Sequence, residues 1–197
     1  VNNTFLRQQL AMLPSAAAMI QPDKPPDLVC YACTSGSILN GEQNCMDAIK
    51  VGAPHSKPMT LVTGVVDAMK TLGALNIVVG TPYLDEVNSV ELDFLIDSGF
   101  NVLDIQGLNV SDGAEMGRID PQFIKEFAIS IDRPDAECIF LSCGGIRSID
   151  VIDQKIESFE NKKRMNWSWL WLRYGKDKSK SNVIEGEAKE VNHEEEK

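Results

Sequence analysis

The chain has 197 residues, 43% of them apolar and 24% charged, enough for one large domain or two small lobes around a shared core. Acids outnumber bases 29 to 19, a net charge of −10 that argues against a nucleic-acid surface, and no run approaches the roughly 20 apolar residues of a membrane span. Two histidines, His55 and His193, leave little for a zinc enzyme or a histidine-based triad, and five cysteines, an odd number without scaffold spacing, point to a reducing, cytoplasmic interior.

Residues 3–20 are rich in Leu, Ala, Met and Gln and predict a helix that Pro14 should break or kink. Their apolar stretch faintly resembles a secretory leader, but Pro14 and Ser15 interrupt it and only Arg7 precedes it, so an ordinary helix is expected. Residues 21–27 carry three prolines and read as a loop. Residues 28–32 (LVCYA) form a short apolar run bounded by turn residues, the pattern of a buried parallel strand, and a helical stretch follows to Lys50. Residues 57–62 predict a strand and 64–72 a helix.

From Asn76 the alternation sharpens. Residues 76–80 (NIVVG) are a strand with Thr81, Pro82 and Tyr83 as its exit loop, and 84–97 an amphipathic helix that Gly99 should end. A strand at 101–105, a helix at 121–131 opened by Pro121, a strand at 138–142 and a helix at 149–159 complete the series. Strands separated by helices imply an α/β fold with parallel sheets flanked by helices. Beyond Gly175 the composition is that of a disordered, charged tail, 176–197.

The segment around Cys33 (DLVCYACTSG) is echoed around Cys143 (DAECIFLSCGG). In each, an acidic turn precedes an apolar strand, and a cysteine stands at the strand's carboxyl end, where open α/β sheets bind ligands. A thiol there meets unpaired backbone N–H groups and a helix dipole, so a lowered pKa is expected at both. The N–H groups of Thr34, Ser35, Gly36, Gly144 and Gly145 can cradle a carboxylate, and Thr34 and Ser35 add hydroxyl donors. A small acid between two thiols can exchange a proton from opposite faces, or one thiolate can add to a double bond and leave after rotation, with no cofactor. Alone, either cysteine would read as a small buried hydrophobe; the shared position favours use of both. Cys30 and Cys138, inside their strands, and Cys45, on a helix, read as packing residues. Cys30 and Cys33 make a lone C-x-x-C with no second pair, so no metal site is expected.

Three ordered motifs, Tyr31-Ala-Cys33-Thr-Ser-Gly-Ser, Val79-Gly-Thr81-Pro-Tyr83-Leu-Asp-Glu-Val-Asn and Phe140-Leu-Ser-Cys143-Gly-Gly, resemble the aspartate/glutamate/hydantoin racemase superfamily. Within it they are similar to the branch of maleate cis–trans isomerase, arylmalonate decarboxylase and an ectoine-utilisation protein. The resemblance covers roughly residues 28–159, with a weaker trace at 166–175. It implies two pseudo-symmetric lobes, 1–75 (with 166–175 packing back on it) and 76–160, with the active site in the cleft between them. It implies Cys33 as the nucleophile, Cys143 as the proton donor, Thr34 and Ser35 as carboxylate ligands, and Tyr83 as a hydrogen-bond donor to substrate.

Arylmalonate decarboxylases have glycine where Cys33 stands, so two thiols tilt the expectation toward an isomerase or racemase over a decarboxylase. The substrate implied is a small carboxylate or dicarboxylate, and a homodimer is common among proteins resembling the chain. Family members begin with a strand and an asparagine-bearing loop, and carry a strand near the C-terminus. No strand precedes Asn3, and residues 158–165 (SFENKKRM) read as too charged for a buried one. The fold is therefore expected to be incomplete at both ends, as in a fragment or a diverged, catalytically defective member that only binds carboxylates. Trp167, Trp169 and Trp171 are expected on a helix packed against the sheet.

Overall fold

A computed structural model describes residues 2–152 and 163–166, the last four as backbone. Helix α1 (Asn3–Ala18) is capped by the Asn2 side chain, which accepts the Phe5 N–H at 2.9 Å. Pro14 lies inside it without ending it. The helix tolerates the lost hydrogen bond because Leu6, Leu13 and Ala17 are buried along one face. Gly52 presses so close to α1 that a Cβ there would strike the Pro14 carbonyl and lie 3.0 Å from Ala18 N.

Strand β1 (Leu28–Tyr31) leads into α2 (Thr34–Asn40) and α3 (Glu42–Gly52), then β2 (Lys57–Thr60) and α4 (Leu61–Thr71). The single helix expected up to Lys50 is two, because Gly41 at φ +81° both ends α2 and opens α3. The order continues β3 (Asn76–Thr81), α5 (Asp85–Asp97), β4 (Asn101–Gly107), α6 (Gly113–Met116), α7 (Pro121–Ser130), β5 (Cys138–Leu141), α8 (Ile149–Ile152) and β6 (Lys163–Asn166). Gly99 follows α5 at φ +93°, as the pattern predicted.

The fold is α/β with parallel sheets flanked by helices. β1 and β2 pair in parallel, Leu28 opposite Lys57 through Tyr31 opposite Thr60. The second sheet has the order β4-β3-β5-β6, and every pair in it is parallel. Alternate side chains of its central strands enter two cores. Ile77, Val79, Cys138 and Phe140 pack with Val62, Val65 and Met69 of α4. On the other face Val78, Ile139 and Leu141 pack with Ile124 and Ala128 of α7. Helices thus cover both faces, as a parallel sheet requires. Helix α4, the last of the expected first lobe, buries its apolar side on the second sheet.

One expectation is corrected at the C-terminal end. Residues 158–165 (SFENKKRM) read as too charged for a buried strand, yet Lys163–Asn166 pairs with β5 from Cys138–Lys163 to Leu141–Asn166. An edge strand needs only backbone partners along one side, so its side chains carry little of the pairing. Of the helix expected at 149–159, Ile149–Ile152 is present. Asn166 ends β6 in the second sheet. The remaining helix residues, 167–175 with Trp167, Trp169 and Trp171, and the charged tail lie outside the described residues.

Candidate active site

The chain leaves β1 and turns at Cys33, whose extended backbone makes it the N-cap of α2. Its Sγ accepts the Gly36 N–H at 3.3 Å and stands 3.9 Å from Ser35 Oγ. Gly36 is required there: a Cβ would lie 3.0 Å from Cys33 Sγ and 2.9 Å from Gln9 Oε1. The Tyr31 hydroxyl reaches the same spot, donating to Gln9 Oε1, and burial together with the neighbouring Cys33 charge raises its pKa. Thr34 is 1% exposed, and its hydroxyl has no partner. Such an orphaned donor beside a thiol is unusual in a settled core and common at a ligand site.

The second thiol is set by strain. Cys143 follows β5 at φ +92°, a left-handed conformation that a side chain disfavours. Its Sγ accepts the Gly145 N–H at 3.3 Å. Cys143→Gly should therefore be more stable than Cys143→Ser by about 1 kcal/mol, read by chemical denaturation. Equal stabilities would show that the turn carries no strain.

The two strand ends meet. A Cβ on Gly144 would lie 3.3 Å from the Ala32 carbonyl and 3.3 Å from Leu61 Cδ2, so glycine lets the second turn abut the first. Tyr83, 2% exposed, is buried at the join, where Ser35 and Cys143 both bear on the ionisation of its phenol and burial with the Cys143 and Glu91 charges pushes it well above its ordinary value. Its loop is pinned by Tyr83 N donating to Thr81 Oγ1 at 3.1 Å, and Thr81 Oγ1 donates to Asn88 Oδ1 at 2.5 Å. The buried phenol of Tyr83 thus shares the neighbourhood of Cys143 and of Ser35, whose Oγ stands 3.9 Å from Cys33 Sγ.

Of the residues singled out in the sequence, Cys33, Thr34, Ser35, Tyr83 and Cys143 converge here, with Gly144 and Gly145 on the exposed rim. The expected lowering of both thiol pKa values is corrected for Cys143. Burial pushes that thiol above its ordinary value, outweighing the donors from Gly145 and Tyr83, and the Cys33 and Glu91 charges add to the rise. Cys143 is thus a thiol that holds its proton.

Three contributors escaped the sequence reading as site residues: Tyr31, Gln9 and Glu91. Glu91 carried a visible signal, an acid on the buried stripe of α5 formed by positions 87, 88, 91 and 95. The other cysteines are packing residues, as expected for Cys45 and Cys138, which are wholly buried. Burial also raises Cys30 and pushes Cys45 up to about 11. Iodoacetamide near pH 7 should therefore label Cys33, which is partly exposed, ahead of the wholly buried Cys45 and Cys138 and of Cys30, whose thiol burial raises, resolved by peptide mass spectrometry. Equal rates at all four sites would contradict this order.

Fold and site together define a two-lobed α/β protein with a thiol at the carboxyl end of a strand in each half. The sequence profile described as arylmalonate decarboxylase matches residues 28–165, and the chain belongs to that family. It is 26% identical over 139 residues to the maleate isomerase of Geobacillus stearothermophilus, covering 66% of this chain and 55% of the relative. It is 27% identical over 97 residues to the arylmalonate decarboxylase of Bordetella bronchiseptica, covering 48% and 40%. The chain spans about half the length of the curated relatives it matches.

Among solved structures, the fold matches a cysteine-to-alanine variant of a Pseudomonas putida maleate isomerase with maleate (TM-score 0.76, 19% identity, 85% of this chain and 70% of that one). It also matches a cysteine-to-serine variant of the Nocardia farcinica maleate cis–trans isomerase with a covalently bound succinylcysteine intermediate (TM-score 0.75, 18% identity, 84% and 70%). Among the described residues no helix is long and apolar enough to cross a membrane.

Proposed function

We propose that the chain is a cofactor-independent isomerase of the maleate cis–trans type, acting on a small dicarboxylate. The observation that carries the reading is the joined pair of strand ends, where Gly144 abuts the Ala32 carbonyl and each end presents a thiol that accepts a backbone N–H, Cys33 from Gly36 and Cys143 from Gly145. One substrate carboxylate sits against the N–H groups and hydroxyls of Thr34 and Ser35, where α2 begins. Gly144 and Gly145 leave room for the other.

Cys33, as its thiolate, adds through sulfur to one alkene carbon of maleate, and the displaced π pair takes the proton of Cys143 at the other carbon. The product is a succinyl thioether with a single bond that rotates. Cys143, now a thiolate, takes a proton back from its carbon. The double bond re-forms, the carbon–sulfur pair returns to Cys33, and fumarate leaves. No redox change occurs; Cys33 leaves as the thiolate and Cys143 as the thiol with which they began. The raised Cys143 suits it to the donor step. Five free cysteines agree with a reducing cytoplasm, and a homodimer belongs to the same reading.

The test is incubation with maleate, following fumarate by proton NMR. A second reading, proton delivery by Cys143 alone in a decarboxylase or racemase, draws on the family match and on the burial of Cys143, the main cause of its raised pKa. Turnover of an arylmalonate that survives Cys33→Ser but not Cys143→Ser would select it. Binding of a dicarboxylate without turnover would assign the chain a carboxylate-binding role.

A further inference from the structure

Helix α5 carries a carboxyl that the chemistry above does not use. Glu91 is 1% exposed, and neither of its oxygens has a hydrogen-bond partner. It lines a narrow crevice with Asn3, Ser35, Leu39 and Val87, so it stands on the same gap as the serine whose hydroxyl lies 3.9 Å from Cys33 Sγ. The hydroxyl of Ser142, the residue before Cys143, is also buried and unpartnered, and it lies close enough to ease a charge on Glu91. A helix face made of Val87, Asn88 and Leu95 gains nothing in packing from an acid at this position. An unpaired buried carboxyl costs stability, and groups kept at such a cost cluster at functional sites.

We infer that Glu91 is a positioning residue for the second thiol: its buried carboxyl, beside Ser142 and behind the Ser35–Tyr83 pair, keeps the proton on Cys143 until substrate takes it. The inference rests on the proposed function only in giving Cys143 the donor role. When ionised, Glu91 places a negative charge near Cys143 and disfavours a second one there; when neutral, it releases that restraint. Burial holds the Glu91 carboxyl at about 7, so the restraint sets in across neutral pH.

Among the described residues, the titratable groups that feel Glu91 are Tyr83 and Cys143. Helix α2 has no titratable side chain, and Arg7 of α1 is exposed. Asp104 of β4 is bonded to Gln106 Nε2 at 2.8 Å. The other acids of α5, Asp85, Glu86, Asp93 and Asp97, are exposed.

The experiment is alkylation of Cys143 by iodoacetamide from pH 6 to 10, followed by peptide mass spectrometry in a Cys33→Ser background. That background removes the Cys33 charge. With Glu91 present, the rate should climb less than tenfold per pH unit between pH 6 and 8, because the restraint grows as the thiolate fraction grows. In Glu91→Gln it should climb a full tenfold and run roughly threefold to tenfold faster at pH 8 to 9. Superimposable profiles would overturn the inference. If Glu91→Gln does not fold, the Glu91-containing profile decides alone: a plain tenfold slope through pH 6–8 overturns the inference and a flattened one supports it. The readout needs no turnover, so a failed isomerase assay leaves it intact, and superimposable profiles leave the isomerase reading intact.

Discussion

Cys33→Ser and Cys143→Ser should each lower maleate turnover by roughly 10³-fold or more, the scale on which removing a nucleophile or a positioned proton donor slows a reaction. The double variant should be little worse than either single one, since the two groups act in one step. Both variants should keep the fold, because serine is close to cysteine in size and its hydroxyl still accepts from Gly36 or Gly145. The measurement is initial rate by proton NMR beside thermal unfolding. Turnover retained within tenfold in either variant would remove the paired-thiol mechanism. A Tyr83→Phe variant separates the phenol from the thiols, and its loss should fall mainly on kcat, since the phenol steadies the donor.

The second large effect is on stability. Burial raises the Glu91 carboxyl from its ordinary 4.5 to about 7 in the folded chain. Between those values the folded protein keeps a proton that the unfolded chain gives up, so folding stability falls as pH rises through 4.5 to 7. The contribution is fully present below 4.5 and gone above 7. At roughly 1.4 kcal/mol for each tenfold in acidity, the loss is about 3 kcal/mol. Glu91→Gln has no such proton to lose. Relative to the Glu91 protein, it should gain about 3 kcal/mol between pH 4.5 and pH 8, or roughly 6–12 °C in Tm. Urea unfolding of both proteins at pH 5 and pH 8 measures this, and parallel pH dependence would show that Glu91 is not a buried, charge-bearing acid.

The strands with apolar runs were legible in the sequence for a simple reason: NIVVG must be buried on both faces, and only a central parallel strand does that. The thiols at positions 33 and 143 were legible because the same strand-then-cysteine order occurs twice. Their ionisation was not. Position at a strand end predicts donors, and Gly36 and Gly145 supply them, but the depth of Cys143 and the acid behind it depend on packing from a distant helix.

Strand β6 escaped because its partner is the backbone of β5, which side-chain composition does not encode. Pro14 misled because the local cost of proline is outweighed by the packing of α1 on α3, where Gly52 allows the close approach. Tyr31 was read as part of a strand, and its hydroxyl meets Cys33 only because the chain turns sharply at the cap of α2.

Helix α4 carries a mechanical consequence. Its residues follow β2 directly, yet Val62, Val65 and Met69 are buried against β3 and β5. Severing the chain near Gly73 would strip the second sheet of its cover on one side and leave the excised first half with a bare greasy helix. The two halves are therefore expected to melt as one cooperative block, and amides on both sheets should exchange with deuterium at a common, slowest rate.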